Sequence, residues 1–178
     1  MNKVNYKLCF KIAYSFIAVC FFALCALSLA LGEYKLAPIV LPIGILMALA
    51  GGVNLTEYIV SPRSERPSPA VVAEGVATVF ISLFPIVEGA AGLAILPFVL
   101  ELWELFSGSV KSAESLEFRE RKIRTWWLPL TIGAFEIFAG VGALLGPFFF
   151  HLADNLSIAS VMLLQGLGYI VQIHLHGK

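Results

Sequence analysis

Six long apolar stretches, separated by short polar segments, leave this chain few folds other than a bundle of membrane-spanning helices. With 59% hydrophobic and 13% charged residues, it lacks the polar surface that a soluble domain of its length needs. The spans that we predict are residues 12–31, 37–56, 70–87, 89–107, 127–149 and 156–174. Each is long enough to cross a hydrocarbon core about 30 Å thick. We therefore predict an all-α fold in which residues 1–178 form a single domain of six transmembrane helices, arranged as three hairpins.

The boundary between the third and fourth spans lies inside one continuous apolar run, residues 70–107. A single helix over this run would be about 57 Å long, nearly twice the thickness of the membrane core. Pro85, Glu88, Gly89 and Gly92 interrupt the run near its centre. Because proline removes a backbone hydrogen bond and glycine permits a turn, we predict a tight turn there with a span on each side.

The positive charges are sorted between the two sides of this predicted bundle. Of the 12 Lys and Arg residues, 11 lie on the side that holds the N-terminus, and Lys35 lies on the other. Since loops rich in Lys and Arg stay in the cytoplasm, we predict a multi-pass protein of the plasma (inner) membrane with cytoplasmic N- and C-termini. The net charge of zero argues against a nucleic-acid partner. The expected partners are the lipid bilayer and either a second copy of the chain or another membrane protein.

Glu136 stands out within the predicted spans, because it lies near the middle of the fifth. Placing a charged side chain at such a depth costs about 2.5 to 3.5 kcal/mol on insertion scales. Gly133 and Gly140 share its helix face, which would let another helix approach closely. Two interpretations stay open. Glu136 is either a proton-responsive group in the bundle interior, or a protonated acid that hydrogen-bonds between helices and serves only assembly.

Three further glutamates lie in or beside the spans. Glu101 and Glu104 share one face of the fourth span toward its cytoplasmic end; we expect Glu101 to be interior and Glu104 to reach water. Glu74 opens the third span, where capping the helix N-terminus is the simpler interpretation. Glu74, Glu101 and Glu136 are also candidates for a proton-responsive ladder that leads from the cytoplasm into the bundle. We expect no intramembrane Lys, Arg or His to pair with these acids.

Small residues in the fifth span predict where helices pack. Besides Gly133 and Gly140, the spacing Gly142-x3-Gly146 places two glycines on one face, as in helices that pack closely in membranes. The three histidines are peripheral, and the common hydrolase, metalloprotease and phosphate-binding motifs are missing from the sequence. We therefore expect no catalytic residues, no metal, no cofactor and no enzymatic activity.

The start of the fifth span, WLPLTIGAFEI over residues 127–137, is followed by Gly146-Pro147. In these residues and in its layout, the chain resembles the HdeD-like short-repeat membrane family. The resemblance implies three helical hairpins, a bacterial inner-membrane location and a non-enzymatic role in acid or envelope stress tolerance. It brings no catalytic residues with it. The alternative functions that the sequence leaves open are a small proton-coupled transporter or channel that uses the membrane-embedded glutamates, and a membrane scaffold or partner subunit.

Overall fold

A computed structural model describes residues 3–31, 35–62, 66–149 and 154–175. Six α-helices follow one another: α1 Lys3–Leu31, α2 Ala37–Val60, α3 Pro69–Glu88, α4 Leu96–Glu120, α5 Trp127–Phe149 and α6 Asp154–Leu175. A 3-10 helix, Gly89–Ala94, joins α3 to α4. Of the residues that the structure describes, 92% are helical and none lies in a strand. The predicted all-α fold is therefore confirmed.

The turn between α3 and α4 lies where the sequence predicts it, but it is longer than expected. Gly89 ends α3 with a φ of 51°, a left-handed backbone conformation that glycine adopts without strain. The 3-10 helix then uses the next residues, and α4 begins at Leu96 with Pro97 in its first turn, where the missing N–H has no intrahelical partner to lose. As a result α4 covers Leu96–Glu120 instead of the predicted residues 89–107.

Five helical segments of the described chain are long and apolar enough to cross a membrane: Tyr6–Leu31, Ala37–Val60, Pro69–Ala94, Trp127–Leu145 and Asp154–Leu175. This composition is consistent with a multi-pass membrane protein. α4 does not satisfy the same criterion, because it carries charged residues along its length. The charges of its first four turns are buried, whereas Phe98, Leu102 and Phe106 are exposed. This part of α4 thus buries its charged side chains and exposes apolar ones, as a helix with its outer face in lipid does. Its role as a sixth span stays a prediction.

The helices pack most extensively in the pairs α2–α3, α4–α5 and α1–α6. In the first two of these pairs, glycines allow the backbones to touch. A Cβ atom added to Gly51 would lie 2.7 Å from the carbonyl oxygen of Gly75, and one added to Gly108 would lie 2.6 Å from that of Gly133. The predicted hairpins would pair α1 with α2, α3 with α4 and α5 with α6, and these are not the most extensive contacts. The division into three hairpins therefore stays a prediction.

The bundle has two distinct ends. We call one of them the basic end; α1, α3 and α5 begin there and α2, α4 and α6 end there, at Lys3, Pro69, Trp127, Val60, Glu120 and Leu175. The opposite end holds the 3-10 helix and the first turn of α6. Between the ends, large apolar side chains such as Phe80, Phe135 and Phe138 point outward and are exposed. A lipid environment would cover this apolar outer surface.

The two glycines Gly133 and Gly142 of α5 offer a matched test of this packing. A Cβ atom on Gly133 would lie 2.6 Å from the Gly108 carbonyl oxygen and 2.8 Å from Ser112 Oγ, whereas no described atom lies within 4 Å of one on Gly142. We expect Gly133→Ala to lower the free energy of unfolding by about 1 to 3 kcal/mol through overpacking. Gly142→Ala should leave it unchanged or raise it by up to about 1 kcal/mol, because alanine is the better helix former. Unfolding in mixed micelles would measure both; equal effects would contradict the contact.

Candidate functional site: a buried lysine among glutamates

The inner face of α4 carries a continuous row of polar side chains. Glu101, Glu104, Ser107 and Lys111 are each at most 5% exposed. An α-helix turns about 100° per residue. Residues three, six and ten positions after Glu101 therefore lie close to the same face of the helix. The row therefore runs along the interior of the bundle and is covered by α3, α5 and α6.

Lys111 is the centre of this row. Its Nζ lies 2.6 Å from Glu136 Oε1 on α5 and 3.4 Å from Glu74 Oε1 on α3. It also donates hydrogen bonds to Ser107 Oγ at 2.6 Å and to Gln165 Oε1 on α6 at 3.4 Å. An ammonium group has three donors, and these contacts use them all. Four helices thus meet at one buried cation.

The groups around Lys111 are linked to each other as well. Ser107 Oγ donates to Glu74 Oε1 at 2.6 Å, and Gln165 Nε2 donates to Glu104 Oε2 at 2.9 Å. We call Lys111, Glu74, Glu104 and Glu136 the charge cluster. Its three carboxyl groups outnumber its one ammonium, and the side chain of Glu136 is fully buried. An electrically neutral cluster therefore requires protons on two of the three carboxyl groups.

Two oxygens of the charge cluster are buried with no hydrogen-bond partner among the described residues: Glu104 Oε1 and Glu136 Oε2. A buried carboxyl oxygen without a partner is costly, at about 1 to 3 kcal/mol. Each of these two atoms is a place where a proton or an inserted water would remove that cost. The buried polar atoms of the cluster that have no hydrogen-bond partner among the described residues thus belong to the glutamates and not to the lysine.

A second polar group lies nearer the basic end. The Tyr14 hydroxyl donates to Glu57 Oε2 and lies 3.2 Å from Asn54 Oδ1. The Tyr14 ring stacks on Tyr169 with a centroid separation of 5.6 Å. Because Tyr169 follows Gln165 by one helical turn on α6, this aromatic pair lies beside the charge cluster.

A cavity and a smaller void lie on the basic-end side of the charge cluster. A cavity of about 390 Å³ opens there, with residues of α1, α2, α3, α4 and α6 in its walls. A smaller void of about 10 Å³, the size of one water molecule, is lined by Lys111, Gly168 and neighbouring residues. The two share Glu114, Gln172 and Leu175 in their walls. These shared side chains separate the open cavity from the buried lysine.

Toward the opposite end, the charge cluster is closed by tightly packed apolar side chains. Leu100 and Trp103 on α4 and Met162 on α6 are fully buried. Trp103 Nε1 donates to Thr78 Oγ1 at 2.9 Å, which fixes the indole ring across the bundle. Beyond this layer, Ser157 Oγ donates to Glu101 Oε1 at 2.5 Å. Among the described residues, the open cavity thus lies on one side of the charge cluster and a buried apolar layer lies on the other.

The structure brings together two of the three predicted proton-responsive residues. Glu136 and Glu74 both contact Lys111, but Glu101 lies apart from them, on Ser157 at the start of α6. Glu101 is therefore not joined to the other two residues by a hydrogen bond or ion pair that the structure shows. Glu101 lies toward the opposite end and not the cytoplasmic end of its helix, because α4 begins seven residues later than predicted.

Three further expectations are corrected. Glu104 does not reach water, because it is fully buried against Gln165. Glu74 does not cap α3, since Ser68 accepts the hydrogen bond from Ala70 N at that helix start. The expectation that no lysine pairs with the buried acids is wrong, because Lys111 does.

The predicted packing glycines have different surroundings. Gly133 contacts Gly108 and Ser112 of α4, and a Cβ on Gly140 would lie 2.8 Å from Leu105 Cγ. Gly142 has no described atom within 4 Å of an added Cβ, so the contacts of the bundle give it no packing role. Gly146 lies outside the residues whose side-chain surroundings the structure describes.

Lys111 is the functional candidate that the sequence reasoning missed. The signal was present in the spacing, since Lys111 lies on the same helix face as Glu101, Glu104 and Ser107. The sequence pattern nevertheless predicts a cytoplasmic Lys111, because positive charges near a span end usually lie there.

The described residues contain no group of three or more His, Cys, Asp or Glu side chains arranged to hold a metal ion. Compared with protein-family models, with curated proteins and with solved structures, the chain matches none of them. The resemblance to the HdeD-like family therefore stays a prediction from the sequence, and the function is argued from the site.

Proposed function

We propose that this integral membrane protein moves protons through the bundle interior, alone or coupled to a small solute, and that the charge cluster is its proton-carrying site. The observation that carries this proposal is the buried Lys111, which is paired with Glu136 and Glu74 and lines a void that shares wall residues with the cavity at the basic end. Buried ionisable groups in membrane bundles are costly and typically belong to ion or proton pathways.

The composition of the charge cluster supports a proton as the species that moves. Two of its three carboxyl groups would hold protons in an electrically neutral cluster, and Glu104 Oε1 and Glu136 Oε2 have no hydrogen-bond partner among the described residues. A proton that leaves one carboxyl group has a second acceptor in the same cluster. Lys111 keeps the acids close together, because its ammonium offsets the repulsion between carboxylates.

One-sided access is the arrangement expected of a transporter in one of its states. Alternating access requires a central site that opens to the two sides of the membrane in turn. Here the cavity lies on the basic-end side of the charge cluster, separated from Lys111 by shared wall residues, and the buried layer around Trp103 lies on the other side. We place the basic end in the cytoplasm, because loops rich in Lys and Arg remain there.

Proton flux into liposomes would test the proposed function. We expect purified protein in sealed liposomes to dissipate an imposed pH gradient, with a pH-sensitive dye inside as the readout. Glu136→Gln should reduce the protein-dependent rate at least tenfold, because an amide at that position cannot take up and release the proton. The matched control is Glu120→Gln, which changes an exposed glutamate of α4 and should leave the rate unaltered. A wild-type rate no greater than that of empty liposomes would overturn the proposal that protons move without a coupled solute. The same result with candidate solutes present would overturn the proposal that they move together with one.

A second candidate function is the role in acid or envelope stress tolerance that the HdeD-like resemblance implies. The three buried carboxyl groups around Lys111 favour it, because such groups are candidates for a response to pH. This role would not require an enzymatic step, and it is compatible with proton movement. Survival of a deletion strain after acid shock, complemented with wild type or with Glu136→Gln at equal abundance, would test it. Equal survival of deletion and wild-type strains would remove this candidate.

A further inference from the structure

The cavity at the basic end has the dimensions and walls of a small-molecule site. Its volume of about 390 Å³ falls within the range of about 300 to 1,000 Å³ that is usual for ligand pockets. Tyr6, Val71 and Phe118 supply apolar and aromatic wall, while Ser61 and Gln172 supply neutral polar groups. This combination suits a ligand with an apolar body and a polar head.

The charges in the cavity wall favour a cationic head. Among the described lining residues, Glu57 and Glu114 carry carboxylates and Lys7 carries an ammonium, so the negative groups outnumber the positive one. Glu57 is 3% exposed and Glu114 is 7% exposed, which places both carboxylates in surroundings where water screens charge poorly. Tyr6 and Phe118 add aromatic rings, which attract cations to their faces.

Both carboxylates of the cavity are connected to the bundle interior. Glu114 follows Lys111 by three residues on α4 and also lines the small void beside Lys111. Glu57 accepts the hydrogen bond of Tyr14, whose ring stacks on Tyr169. A cation bound at Glu114 would therefore lie next to the charge cluster and change the electrostatic potential at Lys111 and its acids.

We infer that this cavity is the substrate site of the proposed transporter and that it takes a small organic monocation, an ammonium group on an apolar body. The inference rests on the proposed function, because it names the substrate of the same pathway. The bound ammonium would lie between the carboxylates of Glu57 and Glu114, with its apolar part against Tyr6 and Phe118.

Isothermal titration of purified protein in detergent micelles would test this inference, with 2-phenylethylammonium as the probe. Phenylacetate and 2-phenylethanol have bodies of similar size with an anionic and a neutral head. We expect 2-phenylethylammonium to bind at least ten times more tightly than either one, after correction for uptake by empty micelles. Glu114→Gln should weaken its binding at least tenfold, while Glu120→Gln on the same helix should leave it unchanged.

A second variant tests the location without altering charge. Val71 is buried in the cavity wall, so Val71→Trp would fill the cavity and should reduce probe binding at least tenfold in protein that still elutes as the wild type does. Unchanged binding in Val71→Trp, or equal affinity for phenylacetate and the ammonium, would overturn the inference. The titration needs no gradient. If the protein moved protons but did not bind the ammonium probe, only this inference would be wrong. If it bound the probe but produced no flux under any gradient, the proposed transport function would be wrong.

Discussion

Replacing Lys111 with Met is expected to lower both the stability of the bundle and its proton flux. Methionine fills a similar volume but removes the ammonium that lies 2.6 Å from Glu136 and 3.4 Å from Glu74. Removing one partner of a buried ion pair leaves an uncompensated charge and costs about 3 to 5 kcal/mol. We expect the free energy of unfolding in mixed micelles to fall by about this amount, and the proton flux in liposomes to fall at least tenfold.

The double variant Lys111→Met, Glu136→Gln separates charge from packing. It removes both members of the closest ion pair, so fewer uncompensated carboxylates remain in the interior. We expect it to be at least about 1 kcal/mol more stable than Lys111→Met alone, since a neutral buried pair is less costly than a lone buried charge. The control is Lys122→Met, which removes an exposed lysine beyond the end of α4 and should change neither stability nor flux. If Lys111→Met were as stable as Lys122→Met, the buried pair would be contradicted.

Truncating Trp103 to Ala should open the sealed side of the charge cluster. The indole ring is fully buried, contacts Phe21 at a centroid distance of 6.2 Å and donates to Thr78 Oγ1. Removing a buried aromatic side chain of this size typically costs about 3 to 5 kcal/mol. Besides this loss of stability, we expect a proton leak across liposomes several-fold above the wild-type rate, because the apolar layer between the cluster and the opposite end would be broken.

Trp103→Phe provides the matched comparison. It keeps most of the ring and removes the hydrogen bond to Thr78, which is worth about 1 kcal/mol. We expect the seal to hold and the flux to remain near the wild-type rate. A leak of the same size in Trp103→Phe and Trp103→Ala would show that the hydrogen bond, and not the bulk of the ring, closes the pathway. No leak in Trp103→Ala would show that this layer is not the seal.

The sequence predicted the helices well where local chemistry decides their bounds. α5 begins and ends at the predicted residues 127–149, because an apolar run with a charged segment before it has few alternatives. The turn after α3 was predicted from Pro85 and Gly89, whose backbone preferences act within a few residues. α1 and α2 extend past the predicted spans toward the basic end, because residues 3–11 and 57–60 continue these helices.

The site was harder to predict, because it depends on how deep each residue lies. The 3-10 helix Gly89–Ala94 delays the start of α4, which moves Glu101 toward the opposite end and draws Lys111 into the interior. The order of polar and apolar segments along the sequence does not reveal this shift in the depth of the α4 residues. The pairing of Lys111 with Glu136 requires in addition that α4 and α5 approach closely at Gly108 and Gly133.

The sequence by itself determined that this chain forms apolar helices, where they break and which side carries the positive charge. These properties follow from hydropathy, glycine and proline, which act locally or through the solvent. Only the tertiary structure decided which polar residues meet. Glu74, Glu104, Lys111 and Glu136 come from three helices, and their convergence in the bundle interior depends on helix depth and on close backbone contact. Burying charge is tolerated only where such partners come together, and a linear pattern does not contain that information.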